Sequence, residues 1–160
     1  HWVSIALEVM EQQGGADAPR IAEVQALLGM TLADGFIGCW NKKFEYDLVR
    51  PYTYIRRVID PKWETLLITP PFPEYPSGHS TQSGAAATIL TALFGEVAFE
   101  DHTHVEDGIP ARSFPNFWAA AEEAAISRMY GGIHFRAANE NGLEQGRCIG
   151  QHLTGLKTRS

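Results

Sequence analysis

Three stretches concentrate side chains able to handle an anion. Residues 41–51, NKKFEYDLVRP, place Lys43 seven positions before Arg50, and Pro51 follows at once. Residues 70–79, PPFPEYPSGH, crowd Pro70, Pro71, Pro73 and Pro76 ahead of Ser77, Gly78 and His79. Residues 127–136, SRMYGGIHFR, set Ser127 and Arg128 before two glycines and His134. Each stretch has a bland reading on its own: a solvated basic face with Glu45 and Asp47 as partners, a Ser-capped helix start, a hydrogen-bonded half-buried imidazole. Together they describe a pocket for a tetrahedral oxyanion. Arg forks pair bidentately with its oxygens and Lys supplies a point charge. One histidine can attack or ligate the central atom while the other moves a proton.

The elements that must position these groups follow from the flanking residues. Four prolines within residues 70–76 exclude an interior strand or helix, so the stretch is a stiff, extended approach to a helix over 80–95. The first N–H groups of that helix lack partners and carry about half a positive charge, which favours an anion at Ser77, Gly78 and His79. Gly78 lets it come close. Upstream, the pattern predicts a helix over 1–13, a second opened by Asp17 and Pro19, and a third from Thr31 or Asp34 to a stop at Arg50-Pro51. Two helical turns then separate Lys43 from Arg50, so both cations can face one way. Residues 51–79 read as turn or extended chain. Downstream come a polar loop with a short hairpin, a helix from Asn116 to Tyr130, a break at Gly131-Gly132, and a last helix over 139–156. Five or six helices without strand alternation predict an all-α bundle, one domain over 1–160.

Composition narrows the function classes. A 160-residue chain with 44% hydrophobic residues can bury a core. Its net charge of −6 and pI near 5.5 argue against nucleic acid as a partner. The longest apolar run, GAAATILTALFG, is well short of the roughly 20 residues that cross a bilayer, so no membrane span is expected. His1 opens what reads as helix interior, as in a processed or truncated chain. Cys39 and Cys148 have no zinc-site spacing and are either two buried free thiols or, in an exported protein, one disulfide.

The three stretches resemble the motifs of a superfamily, the type 2 phosphatidic acid phosphatases together with the vanadium-dependent haloperoxidases. Lys43 with Arg50-Pro51, Pro76 to His79, and Ser127-Arg128 with His134 match the three motifs in the family order. The resemblance implies a helical bundle of the acid phosphatase/vanadium haloperoxidase type, forming the C-terminal catalytic part of a longer chain. By it, Lys43, Arg50, Ser77, Gly78 and Arg128 hold the oxyanion, His134 is the axial ligand of vanadium or the nucleophile towards phosphorus, and His79 is the acid–base group. Lys43 would also polarise a bound peroxide. The family's third motif usually has an aspartate four residues after the histidine, where this chain has Ala138; Glu140 or a backbone carbonyl is the expected substitute.

The flanks PPFPEYPSGH and GGIHFR, and Trp40 three residues before Lys43, are similar to vanadium chloroperoxidases, which makes Trp40 and Phe72 a halide pocket. The cofactor implied is vanadate, with phosphate as substrate or inhibitor in its place. The implied partners are hydrogen peroxide, a halide and a small organic acceptor, and the compartment periplasmic or extracellular. Three other functions stay open: an acid phosphatase with a phosphohistidine intermediate, a non-catalytic helical module that keeps an old anion pocket, and a purely structural, oligomer-forming fragment.

Overall fold

Prolines and small polar caps set the helix ends in the computed structural model, which describes residues 1–156. Helix α1 spans Trp2–Gln12, and α2 spans Ala18–Tyr46 behind an Asp17 cap that accepts from the Arg20 N–H at 2.9 Å. Helix α3 spans Pro51–Val58, and α4, Gly78–Phe94, starts at the Ser77 cap. A short antiparallel hairpin pairs β1, Phe99–Asp101, with β2, Arg112–Phe114. Helix α5, Phe117–Tyr130, is capped by Asn116, and α6 spans Arg136–Leu153. The described residues are all-α apart from this hairpin.

Three expectations are corrected. Residues 18–46 form one helix rather than two, because Thr31 is buried and returns its hydroxyl to the Leu27 carbonyl at 2.7 Å instead of capping a new helix. That helix ends at Tyr46, where Asp47 turns left-handed at φ 44°, so Lys43 and Arg50 do not share a helix face. Pro51 starts α3 rather than stopping its predecessor, since proline's fixed φ suits the first helical position, and extended Arg50 becomes the cap. The last helix also begins three residues early, at Arg136, placing Ala138 in its first turn.

Helix α4 is the axis of the bundle and packs against α2, α5 and α6. Its closest neighbour is α6, which turns Gly142, Gly146 and Gly150 towards it at four-residue spacing. A Cβ on Gly146 would overlap the Thr81 carbonyl oxygen, and one on Gly142 would sit 2.9 Å from the Ser77 carbonyl. Backbone therefore meets backbone, and the Ser77 turn rests directly on α6: the Ser77 N–H donates to the Ala138 carbonyl at 3.0 Å.

The bundle has two ends of different character. Ile5 and Val9 of α1, Leu28 of α2, Leu90 of α4 and Phe117 of α5 form an apolar core at one end. Lys43, Arg50, Glu74, Ser77, His134 and Asn139 are buried at the other. Cys39 is buried and Cys148 exposed, both as free thiols, so the pair is neither a disulfide nor two buried thiols. The stretch Ala18–Val58 is long and apolar enough, by length and composition, to cross a membrane. Here its α2 part lays the stripe Val24, Leu28, Thr31, Gly35, Cys39 and Lys43 into the bundle.

Candidate active site

At the polar end, a cavity of about 210 Å³ opens where the start of α4 meets the end of α5 and the turn before α6. Gly78, His79, Arg128 and His134 line it with the rings of Trp40 and Phe72. Gly78 and His79, the first residues of α4, line this space, so the helix N-terminus abuts it, and a Cβ on Gly78 would make a tight 3.2 Å contact with the Trp40 ring. Gly132, at φ 76°, turns the chain out of α5 so that His134 comes back to the cavity.

Lys43, Arg50 and Ser77 stand behind the wall rather than on it. Lys43 is wholly buried and donates to the carbonyls of Pro73, Glu74 and Pro76 at 2.9, 3.0 and 2.6 Å, so its three N–H bonds are all taken by the proline-rich loop. Burial pushes its ammonium down to about 8, still charged at neutral pH. Arg50 donates to the carbonyls of Phe72, Pro73 and Ile133, and its Nη1 lies 3.1 Å from His134 Nε2. Both cations lie over the Phe72 ring, at 5.3 and 5.0 Å from its centroid. The Ser77 hydroxyl accepts from Ser80 Oγ at 2.9 Å. For Lys43 to touch a bound anion, an anion oxygen must replace one of these carbonyls, whereas Arg50 can turn the Nη1 N–H now at His134 Nε2 to an anion without giving up a carbonyl.

His134 has its protonation pattern fixed by its neighbours. Its Nδ1 lies 2.8 Å from Glu74 Oε1, an acceptor, while its Nε2 faces a guanidinium that can only donate. The ring is therefore the neutral Nδ1–H tautomer with the lone pair on Nε2. Burial is the main cause holding its pKa below the ordinary value, partly opposed by the hydrogen bond to Glu74. His79 is exposed at the cavity mouth, yet loss of hydration, reinforced by Arg128, His134 and Lys43, pushes it down to about 4.

The donor set fits a tetrahedral oxyanion such as vanadate or phosphate. The deciding feature is Arg128: its Nε is buried without a hydrogen-bond partner among the described residues, while the residue lines the cavity. An orphaned guanidinium N–H of this kind is costly unless an acceptor such as an anion oxygen satisfies it. His134 Nε2, with Nδ1 tied to Glu74, supplies a nitrogen lone pair that such a group would take.

The family model described as the VCPO second helical-bundle domain matches residues 23–62 and 57–159. The chain belongs to that family. A vanadium chloroperoxidase of Curvularia inaequalis is 27% identical over 167 residues, covering 72% of this chain and 27% of that protein. A vanadium-dependent bromoperoxidase of Ascophyllum nodosum is 30% identical over 157 residues, covering 81% and 28%. Among solved structures, a bacterial vanadium-dependent iodoperoxidase superposes with a TM-score of 0.92 at 47% identity, over 96% of this chain and 37% of that one. A bacterial vanadium-dependent chloroperoxidase shares the fold, with a TM-score of 0.67. The chain thus spans about a quarter of the length of the curated relatives it matches.

Within this VCPO-type bundle, sequence reasoning missed Glu74, Phe36 and Gln82. Glu140, the expected partner of His134, instead lies on the surface near Arg136, and the Ala138 carbonyl is taken by Ser77; the carboxylate on His134 comes from Glu74. The available signal was a lone acid among prolines and aromatics. Phe36 stacks on Trp40 at 4.0 Å one helical turn earlier, and Gln82 follows His79 by three residues on α4, so helical spacing from the motif residues pointed to both. Gln82, His79 and Arg128 also line a second cavity of about 520 Å³ beside the first.

Proposed function

We propose that this chain carries the cofactor site of a vanadium-dependent haloperoxidase, which oxidises a halide with hydrogen peroxide: H2O2 + X⁻ + H⁺ gives HOX + H2O. One observation carries the reading: His134, whose Nδ1 is held by Glu74, lines one cavity with Trp40, Phe72 and Arg128, and the Arg128 Nε has no hydrogen-bond partner among the described residues. The names of the relatives support peroxidase over phosphatase. Vanadate held there would act as a Lewis acid that activates peroxide towards halide.

The chain's own residues have separable tasks. His134 offers the nitrogen ligand, Arg128 and the N–H groups at Gly78 take oxyanion oxygens, and Arg50, Lys43 and Ser77 set the charge and shape of the wall behind them. His79, neutral at pH 7 at the cavity mouth, accepts a proton from entering peroxide and returns it to the leaving oxygen. Trp40 and Phe72 give the halide a dry, polarisable approach. The relatives act, by name, on chloride, bromide and iodide, so the halide preference is left to assay. Hypohalous acid then passes to a small organic acceptor.

The dyad of His134 and Glu74 also favours a second reading, since a carboxylate-held imidazole can attack a phosphomonoester. The test is an assay with hydrogen peroxide and iodide or bromide, with and without orthovanadate, beside a generic phosphomonoester. Vanadate-dependent halogenation is expected. Phosphate release inhibited by vanadate, with no halogenation, would establish the phosphatase instead.

A further inference from the structure

We infer that Glu74 is the positioning residue on which the orientation and tautomer of His134 depend, a task that Ala138 and Glu140 do not perform; the inference deepens the proposed function and concerns the same site. Glu74 is 1% exposed, and a buried carboxylate persists only where its acceptors are used. Its Oε1 accepts from His134 Nδ1 at 2.8 Å and from the Phe135 N–H at 3.0 Å, so one oxygen holds both the ring and the backbone that carries it. Its main chain is tied to the first motif: its N–H donates to the Leu48 carbonyl at 2.9 Å, and its own carbonyl accepts from Lys43 Nζ at 3.0 Å. Glu74 therefore joins all three motif stretches at a single residue.

The chemistry requires such a group. With nothing accepting at Nδ1, a neutral imidazole is free to place its proton on Nε2, the atom that must keep a lone pair. The contact from Arg50 at Nε2 belongs to the anion's own side of the ring and cannot serve once an anion is there. The acceptor at Nδ1 is the one that stays.

The experiment reads the ring directly. In the unloaded protein, ¹⁵N spectra of the His134 imidazole are expected to show a protonated Nδ1 and an unprotonated Nε2; a protonated Nε2 in the unsubstituted protein overturns the inference whatever the variants do. Glu74→Gln keeps an acceptor oxygen and should keep the tautomer, whereas Glu74→Ala leaves the Arg50 contact as the one restraint among the described residues and should admit a measurable fraction of the Nε2–H form. Calorimetric titration with orthovanadate and with phosphate should then show affinity falling about 10- to 100-fold in Glu74→Ala, and less in Glu74→Gln. An alanine variant with unchanged tautomer and affinities within twofold would sink the proposal. If that variant does not fold, Glu74→Leu, which fills the space but accepts no hydrogen bond, is measured in its place, and an unchanged tautomer with affinities within twofold sinks the proposal equally. These readouts need no turnover, so a failed halogenation assay would overturn the proposed activity and leave this inference standing.

Discussion

At the scale of single residues, the site combines groups that are committed with groups that are free. Arg128 has an unpaired Nε, so Arg128→Ala should cost little stability but weaken phosphate or orthovanadate binding by about 2 kcal/mol, roughly 30-fold in affinity, measured by calorimetry. Lys43 is the opposite case. Its substitution by Met leaves three inward carbonyls without their donor, and a loss of about 2–4 kcal/mol in urea unfolding is expected. His79 has a depressed folded value of about 4 against an ordinary 6.5, so above 6.5 it is neutral in both states. As pH falls below that, the unfolded chain binds a proton that the folded one refuses, and this residue's share of stability is lost on the way down through 4. An NMR titration of the ring should give a midpoint well below 6.5 that rises when phosphate is added, because an anion in the cavity favours the imidazolium.

At the scale of elements, the placement of the Ser77 turn beside the cavity depends on how closely α4 and α6 approach. Ser77 sits where it does because Gly142 and Gly146 let the start of α4 rest on α6. Gly146→Ala forces the Thr81 carbonyl away, which should destabilise the fold by about 1–3 kcal/mol in denaturant and also lower phosphate affinity, since the helix tip moves with it. The glycines were plain in the sequence at four-residue spacing, but only their apposition to Thr81 and Ala85 gives them a reason. The long α2 teaches the same point: Thr31 and Asp34 look like cap residues, and packing decides that the helix runs through them.

At the scale of the whole molecule, stability and chemistry occupy opposite ends of one bundle. No residue of the apolar core around Leu28, Leu90 and Phe117 lines the cavity. Leu28→Ala should therefore cost about 2–5 kcal/mol of stability while leaving the affinity for phosphate within twofold, as long as the measurement is made where the protein is folded. A parallel loss of affinity would show that the two ends are not independent.

The sequence by itself determined the all-α class, the capped starts at Asp17, Ser77 and Asn116, and the three motif stretches, because periodicity, proline and capping chemistry are local properties. It also named Trp40, Phe72, Gly78, His79, Arg128 and His134, which line the cavity, but not Phe36 or Gln82, which line it too. The tertiary structure decided which of the motif residues face it: Lys43, Arg50 and Ser77 are held behind the wall by loop carbonyls and a neighbouring hydroxyl, while Arg128 and His134 are left to line it. It decided, too, that the acid on His134 is Glu74, sixty positions away, rather than a neighbour in sequence. Hydrogen bonds between distant segments depend on how helices pack, and no local pattern encodes that distance.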